Sequence, residues 1–128
     1  MSTLEHTLIG RYSFEFFPPK SSVSSLALDT CLAGLESWQP EFSSMTYGAG
    51  GSSQAESFSA VRRLQKRGHV AAAHITAVGA SAAEVNQAAQ AFAGAGVDHL
   101  VALRGDSLNG AFIPHPQGYS YGADLVAG

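Results

Sequence analysis

The sequence predicts an α/β fold in which helices cover a parallel sheet. Three observations predict it. Short strand-like runs alternate with longer stretches of helical periodicity. The strand-like runs recur about every thirty residues, the spacing of βα units. Proline, glycine and helix-capping residues fall at the joins between them. At 128 residues the chain has the length of one domain, expected to span 1–128.

The elements follow in order. Tyr12 to Phe17 is short, aromatic and strand-like, with Ser13, Glu15 and Phe17 on one face and Tyr12, Phe14 and Phe16 on the other. Pro18 and Pro19 end it, because proline cannot continue a central ladder. Ser24 to Trp38 reads as a helix, with Leu28, Leu32 and Leu35 forming its apolar stripe and Pro40 just beyond its end. A second strand runs from Glu41 to Tyr47, followed by a loop containing Gly48, Gly50 and Gly51. Ser53 and Glu56 make a capping-box pattern at the start of the next helix, which continues through Phe58, Val61 and Leu64 and stops at Gly68. Val70 to Thr76 is the third strand. Ser81 and Glu84 form another capping pair, Val85, Ala88, Ala89 and Phe92 the next apolar stripe, and Gly94 and Gly96 its stop. The fourth strand runs from Asp98 to Leu103, a polar loop opens at Arg104, Gly105 and Asp106, and a last helix begins near Ser120 or Tyr121 and is incomplete at Gly128.

Composition narrows the function classes. Hydrophobic residues make up 45% of the chain and charged residues 13%, a globular balance rather than a disordered one. The formal charge of −3 gives no basic footprint for nucleic acid. Arg62, Arg63, Lys66 and Arg67 are spaced for one helix face and read as a solvated surface. The single cysteine, Cys31, permits no internal disulfide and is expected to be a small buried side chain. No apolar run is long enough to cross a bilayer, and Met1 to Gly10 lacks the pattern of a signal peptide. The expected compartment is the cytoplasm. The five histidines show no metal-ligand spacing, so no metal is expected.

In parallel α/β folds, function gathers at the C-terminal ends of the strands. Each strand here carries chemistry there: Glu15, then Thr46 and Tyr47, then His74 and Thr76, then Arg104 and Asp106. Glu15 lies between phenylalanines and ahead of two prolines. Apolar surroundings disfavour a charged carboxylate, so a raised pKa and a general-acid role are expected. The alternative is a structural carboxylate held by a cation. His74 has two readings too, a functional ring or a hydrogen-bonded core histidine. The Gly48–Gly51 loop could cradle an anion on backbone N–H groups, or be a tight turn; it is neither a Walker A loop nor a GxGxxG motif.

Taken together, the motifs resemble the methylenetetrahydrofolate reductase family. Ser13-Phe14-Glu15-Phe16-Phe17-Pro18-Pro19-Lys20 resembles its first-strand motif. Thr46-Tyr47-Gly48-Ala49-Gly50-Gly51, Ala73-His74-Ile75-Thr76 and Ala102-Leu103-Arg104-Gly105-Asp106 resemble the next three. Tyr119-Ser120-Tyr121-Gly122-Ala123-Asp124-Leu125 resembles the entry to the following helix. The five motifs occur in order and cover nearly the whole chain.

The resemblance implies the first half of a (β/α)8 TIM-type barrel, with FAD at the C-terminal strand ends. It implies hydride transfer from NADH or NADPH to the flavin and on to 5,10-methylenetetrahydrofolate, giving 5-methyltetrahydrofolate, in one-carbon and methionine metabolism. By motif, Glu15 matches the general acid and Asp106 the aspartate near flavin and pterin. Thr46 matches a position near the nicotinamide, and Tyr47, Ala49, His74, Arg104 and Gly105 match flavin contacts, as do Tyr121 and Gly122. Gly122 replaces the alanine common in relatives. A complete barrel needs about 250 residues, so the chain is expected to be truncated after about four βα units. The expected partners are a folate and either further copies of the chain or a complementing chain. A non-catalytic half-barrel that binds flavin weakly is the alternative.

Overall fold

A computed structural model describes residues 11–47, 53–106 and 112–128. Its order is β1 (Ser13–Phe16), α1 (Ser22–Leu35), a 3-10 turn (Glu36–Trp38), β2 (Phe42–Met45), α2 (Gln54–Lys66), β3 (Ala71–Thr76), α3 (Ala82–Gly94), β4 (His99–Leu103) and α4 (Gly122–Ala127). The strands begin at residues 13, 42, 71 and 99, which are 28 or 29 residues apart. They form one parallel sheet in chain order, β1-β2-β3-β4. This is the α/β architecture the alternating periodicities imply.

Alternation along the strands sorts the side chains. Phe16, Met45, Ala71, Ala73 and Ile75 face the helices and join Leu28, Leu32, Val61, Leu64, Val85 and Phe92 in one core. Glu15 pairs in register with Ser44 and Ser44 with Ala72, so these residues share the opposite, inner face. All six residues of β3 are buried. Its run of alanines brings α2 and α3 close to the sheet backbone. Toward the N-terminal end of the inner face, the small Ala72 lets Phe42 and His99 stack across it, with ring centroids 6.0 Å apart and planes at 11°.

Helix starts follow the serine caps. Ser53 Oγ accepts from the Glu56 N–H at 3.1 Å, and the Ser53 N–H donates to Glu56 Oε2 at 2.6 Å, closing the expected capping box. Ser81 Oγ accepts from the Glu84 N–H at 3.2 Å and donates to the Glu84 carboxylate at 3.3 Å. The first helix begins two residues earlier than its leucine stripe implies. There Ser21 and Ser24 cap reciprocally, and Ser24 takes the place of the usual Glu or Gln.

Two sequence expectations change. Cys31 is exposed, because α1 buries only Leu28 and Leu32 and Cys31 falls on the flank of that narrow stripe. The basic cluster is also more than a solvated face. Arg63 turns back onto α1, donating to Asp29 Oδ1 at 2.6 Å and to Ser25 O and Oγ at 3.1 and 3.0 Å. Arg67 reaches Glu36 at 2.8 Å. These contacts clamp α1 to α2. Arg63→Met should therefore cost about 1–2 kcal/mol in urea denaturation, the range for half-buried hydrogen bonds to a charged partner. No helix among the described residues is long and apolar enough to cross a membrane.

Candidate active site at the strand ends

The inner face gathers three polar groups at mid-sheet. His74 Nε2 lies 3.2 Å from Glu15 Oε1 and 3.3 Å from Ser44 Oγ, and Ser44 Oγ lies 3.5 Å from Glu15 Oε1. His74 and Ser44 are buried, while the Glu15 side chain is 56% exposed. The apolar enclosure expected around Glu15 does not form. Phe14 and Phe16 flank it in sequence but point to the other face of the strand, where Phe16 enters the helix-side core. The carboxyl instead meets a histidine and a serine. Its partner is thus the ring of His74, not a lysine or arginine.

Burial lowers the pKa of His74 below 6.5, and the neighbouring Glu15 carboxylate offsets this only in part. His69 is lowered as well, first by burial and then by the Arg67 guanidinium, with Glu36 acting the other way. Its Nδ1 contacts the fully buried Ser43 Oγ at 2.7 Å on the helix side of the sheet. Both rings bind protons more weakly folded than unfolded. Protonation therefore favours the unfolded chain, and stability is complete above about pH 6.5 and declines as the pH falls through the window below it. The urea midpoint should drop between about pH 7.5 and 5.5. That part of the slope should flatten in a His69→Gln, His74→Gln double variant.

Further along the same face, Thr46 and Thr76 are each 6% exposed. Their Oγ1 atoms are the buried side-chain oxygens without a hydrogen-bond partner among the described residues. An unpaired buried hydroxyl costs about 1–3 kcal/mol, so two at the ends of neighbouring strands call for an explanation. The Thr46 backbone is fixed from two sides: its N–H donates to Phe16 O at 2.9 Å, and its carbonyl accepts from the buried Ser57 Oγ at 3.3 Å. Tyr47, His74, Thr76, Gln54, Glu84 and Phe92 help line a cavity of about 100 Å³. That is below the roughly 300 Å³ of a small-molecule pocket, so it is a shallow recess too small to enclose a whole small molecule.

The sheet ladder continues past β3 and β4. The Ala77 N–H donates to Leu103 O at 3.1 Å and the Val78 N–H to Arg104 O at 2.9 Å. Gly105 then turns with φ +85°, so close that a Cβ there would lie 2.6 Å from Val78 Cγ1 and 3.0 Å from Thr76 Cβ. The Arg104 guanidinium sits 4.7 Å from the Phe112 ring centroid, and Asp106 is exposed. At Gly122 an added Cβ would approach Ala102 O to 3.0 Å, so glycine lets α4 settle against β4. Tyr121 caps α4, its N–H donating to Asp124 Oδ2 at 3.0 Å, and its ring is largely exposed.

Of the residues singled out in the sequence, the structure joins Glu15 to His74 and places Tyr47 and His74 on one cavity wall. Thr46, Arg104, Gly105 and Asp106 lie at or just beyond the C-terminal ends of β2 and β4. Tyr121 and Gly122 stand apart from the Glu15 cluster, at the start of α4. Ala49 and the rest of the glycine loop lie outside the described residues. Sequence reasoning missed Ser44 and Ser57. Ser44 could have been found by aligning the alternation of the first two strands, which puts it beside Glu15.

Comparison with known proteins bears on this arrangement. The family model for methylenetetrahydrofolate reductase matches residues 4–128. The 5,10-methylenetetrahydrofolate reductase of Pectobacterium carotovorum subsp. carotovorum is 37% identical over 118 residues, covering 90% of this chain and 38% of the relative. The Escherichia coli (strain K12) protein of that name is 36% identical over 115 residues, covering 89% and 38%. Methylenetetrahydrofolate reductase (NADH) 1 of Arabidopsis thaliana is 31% identical over 118 residues, covering 90% of this chain and 20% of its own length. The chain thus spans well under half the length of these curated relatives. With the family model matching nearly every residue, the chain belongs to the methylenetetrahydrofolate reductase family.

Proposed function

We propose that the chain forms the first four βα units of a (β/α)8 reductase barrel that reduces 5,10-methylenetetrahydrofolate to 5-methyltetrahydrofolate, with FAD as cofactor and NADH or NADPH as hydride donor. The observation that carries this reading is the Glu15–His74 contact on the inner face. It sets an exposed carboxyl beside a buried ring in a chain of this family. The cytoplasm is the compartment that suits this reading.

The residues present fit a flavin. Thr46 and Thr76 offer two buried, unpartnered hydroxyls to the carbonyls and ring nitrogens of such a group. The recess beside Tyr47 and His74 suits the edge of a ligand. When bound, FAD would supply the hydride chemistry. The chain's own residues do the rest. Glu15 delivers a proton to the folate nitrogen whose departure opens the methylene bridge, leaving an electrophilic iminium carbon. By family motif, Asp106 would lie near flavin and pterin, and Thr46 near the nicotinamide. By the same motifs, Tyr47, Ala49, His74, Arg104, Gly105, Tyr121 and Gly122 would hold the cofactor.

A second reading has its own support. Phe17, just past the end of β1, is 63% exposed, and Leu103, on the inner face of β4, is 41% exposed. A chain whose inner face is left this open would associate with a further copy or a complementing chain, and could bind flavin without turnover. One experiment separates the readings. The chain is loaded with FAD, freed of excess and examined by visible absorption and sedimentation. Retained flavin that bleaches anaerobically with NADH or NADPH supports the reductase. Retained flavin that does not bleach favours the binding half-barrel, and no retained flavin removes the cofactor role of this chain alone.

A further inference from the structure

Glu15, Ser44 and His74 form a closed triangle in which both contacts to the carboxyl fall on one oxygen, Oε1. The chemistry of the three groups fixes the directions. An ionised carboxylate only accepts, so the ring nitrogen facing it at 3.2 Å must carry a hydrogen. A bare Nε2 there would set a lone pair against the carboxylate charge. Ser44 Oγ donates to the same Oε1, and its own lone pairs face the His74 N–H. Burial favours the uncharged ring, which leaves Nδ1 without a proton. One tautomer of a neutral His74 therefore satisfies every contact in the triangle.

We propose that Ser44 and His74 are positioning residues for Glu15, anchoring Oε1 as an acceptor so that the proton Glu15 exchanges is carried on Oε2. The inference rests on the reading of Glu15 as the acid and adds which atom acts and what holds it. The carbonyl oxygen of a protonated carboxyl still accepts hydrogen bonds. Neither the His74 N–H nor the Ser44 hydroxyl has to turn when Glu15 gains or loses its proton. On transfer, the Oε2–H bond breaks, its electron pair stays on Oε2, and the proton forms a new bond to the substrate nitrogen. The charge left on the carboxylate spreads over both oxygens, where the two donors on Oε1 already meet it. Oε2 regains a proton from water, which reaches this side chain because it is 56% exposed.

The test needs no cofactor. In the 15N-labelled chain at neutral pH, two-bond proton–nitrogen correlations report which imidazole nitrogen is protonated. The expected result is a roughly tenfold or greater excess of the Nε2–H form at His74, as a hydrogen bond to a charged acceptor gives. Glu15→Ala should lower that excess toward the modest preference for Nε2–H that a free neutral imidazole already has. Ser44→Ala should shift the Glu15 side-chain carboxyl 13C resonance, and Ser44→Thr should restore it, a pattern that a purely space-filling serine would not produce. A bare Nε2 in the wild-type chain overturns the proposal. So does a Glu15 resonance that stays put in a folded Ser44→Ala chain. Should Ser44→Ala fail to fold, the wild-type tautomer and the Ser44→Thr spectrum decide. Failure of the functional reading shows separately, as absence of flavin retention in a chain whose tautomer is as expected.

Discussion

Gly105→Ala should destabilise the chain by about 2–5 kcal/mol and weaken flavin retention roughly tenfold or more. Two penalties add. An alanine at φ +85° occupies a region costing about 1–3 kcal/mol for a residue with a Cβ. Its methyl would also lie 2.6 Å from Val78 Cγ1, a branched side chain on a backbone already pinned to Arg104 O. The loop could escape only by lifting away, taking Arg104 and Asp106 from the end of β4. Urea denaturation and flavin titration measure the two effects. Val78→Ala in the Gly105→Ala background removes the steric part and leaves the backbone part, so a partial recovery is expected. A Gly105→Ala chain as stable as wild type would show that the loop has another conformation within reach.

Leu64→Ala should cost about 2–5 kcal/mol, the range for emptying a well-packed leucine site. Leu64 is fully buried on α2, the helix that packs on β2 and β3. Its backbone carbonyl also accepts from the His69 N–H at 3.1 Å, a bond in the turn into β3 that an alanine would keep. Typical stabilities are about 5–15 kcal/mol, and this loss is a large share of that. A sharp fall in the thermal midpoint is expected, measured by circular dichroism. Leu64→Met keeps the volume and should cost less than about 1.5 kcal/mol. Equal losses in the two variants would mean that shape, not the emptied volume, sets the penalty.

Periodicity made the fold legible. The leucines of α1, the Val61–Leu64 stripe of α2 and the Ser53–Glu56 box all lie where residue spacing puts them, because helix and strand periods are local properties. What the sequence hid depends on contacts between elements. Strand alternation sets Phe14 and Phe16 on the face opposite Glu15, but only the fold gives the carboxyl a histidine from 59 positions away. Ser44 is one of two adjacent serines in β2, and only the pairing of Glu15 with Ser44 shows which of the two joins the acid. Arg63 carries no sign in its own helix that Asp29 lies opposite. Cys31 stands among apolar neighbours, but the exposure of its flank follows from how narrow a strip of α1 the sheet covers. The family motifs marked Glu15 and His74 without showing that they touch.

The strand order has a consequence for how the chain acquires its structure. Each strand pairs with the one made just before it, across a crossover of 28 or 29 residues, so no strand waits for a partner from the far end of the chain. Parallel pairing is slow in itself, because each crossover must close before its contacts form, but here the closure cost stays about the same from one strand to the next. During synthesis, β2 can dock on β1 as soon as α1 has formed, and β3 on β2 in turn. The site should mature in the same order. The Glu15–Ser44 pair comes within reach first, His74 closes the triangle once β3 docks, and the Gly105 turn arrives last over a platform already in place.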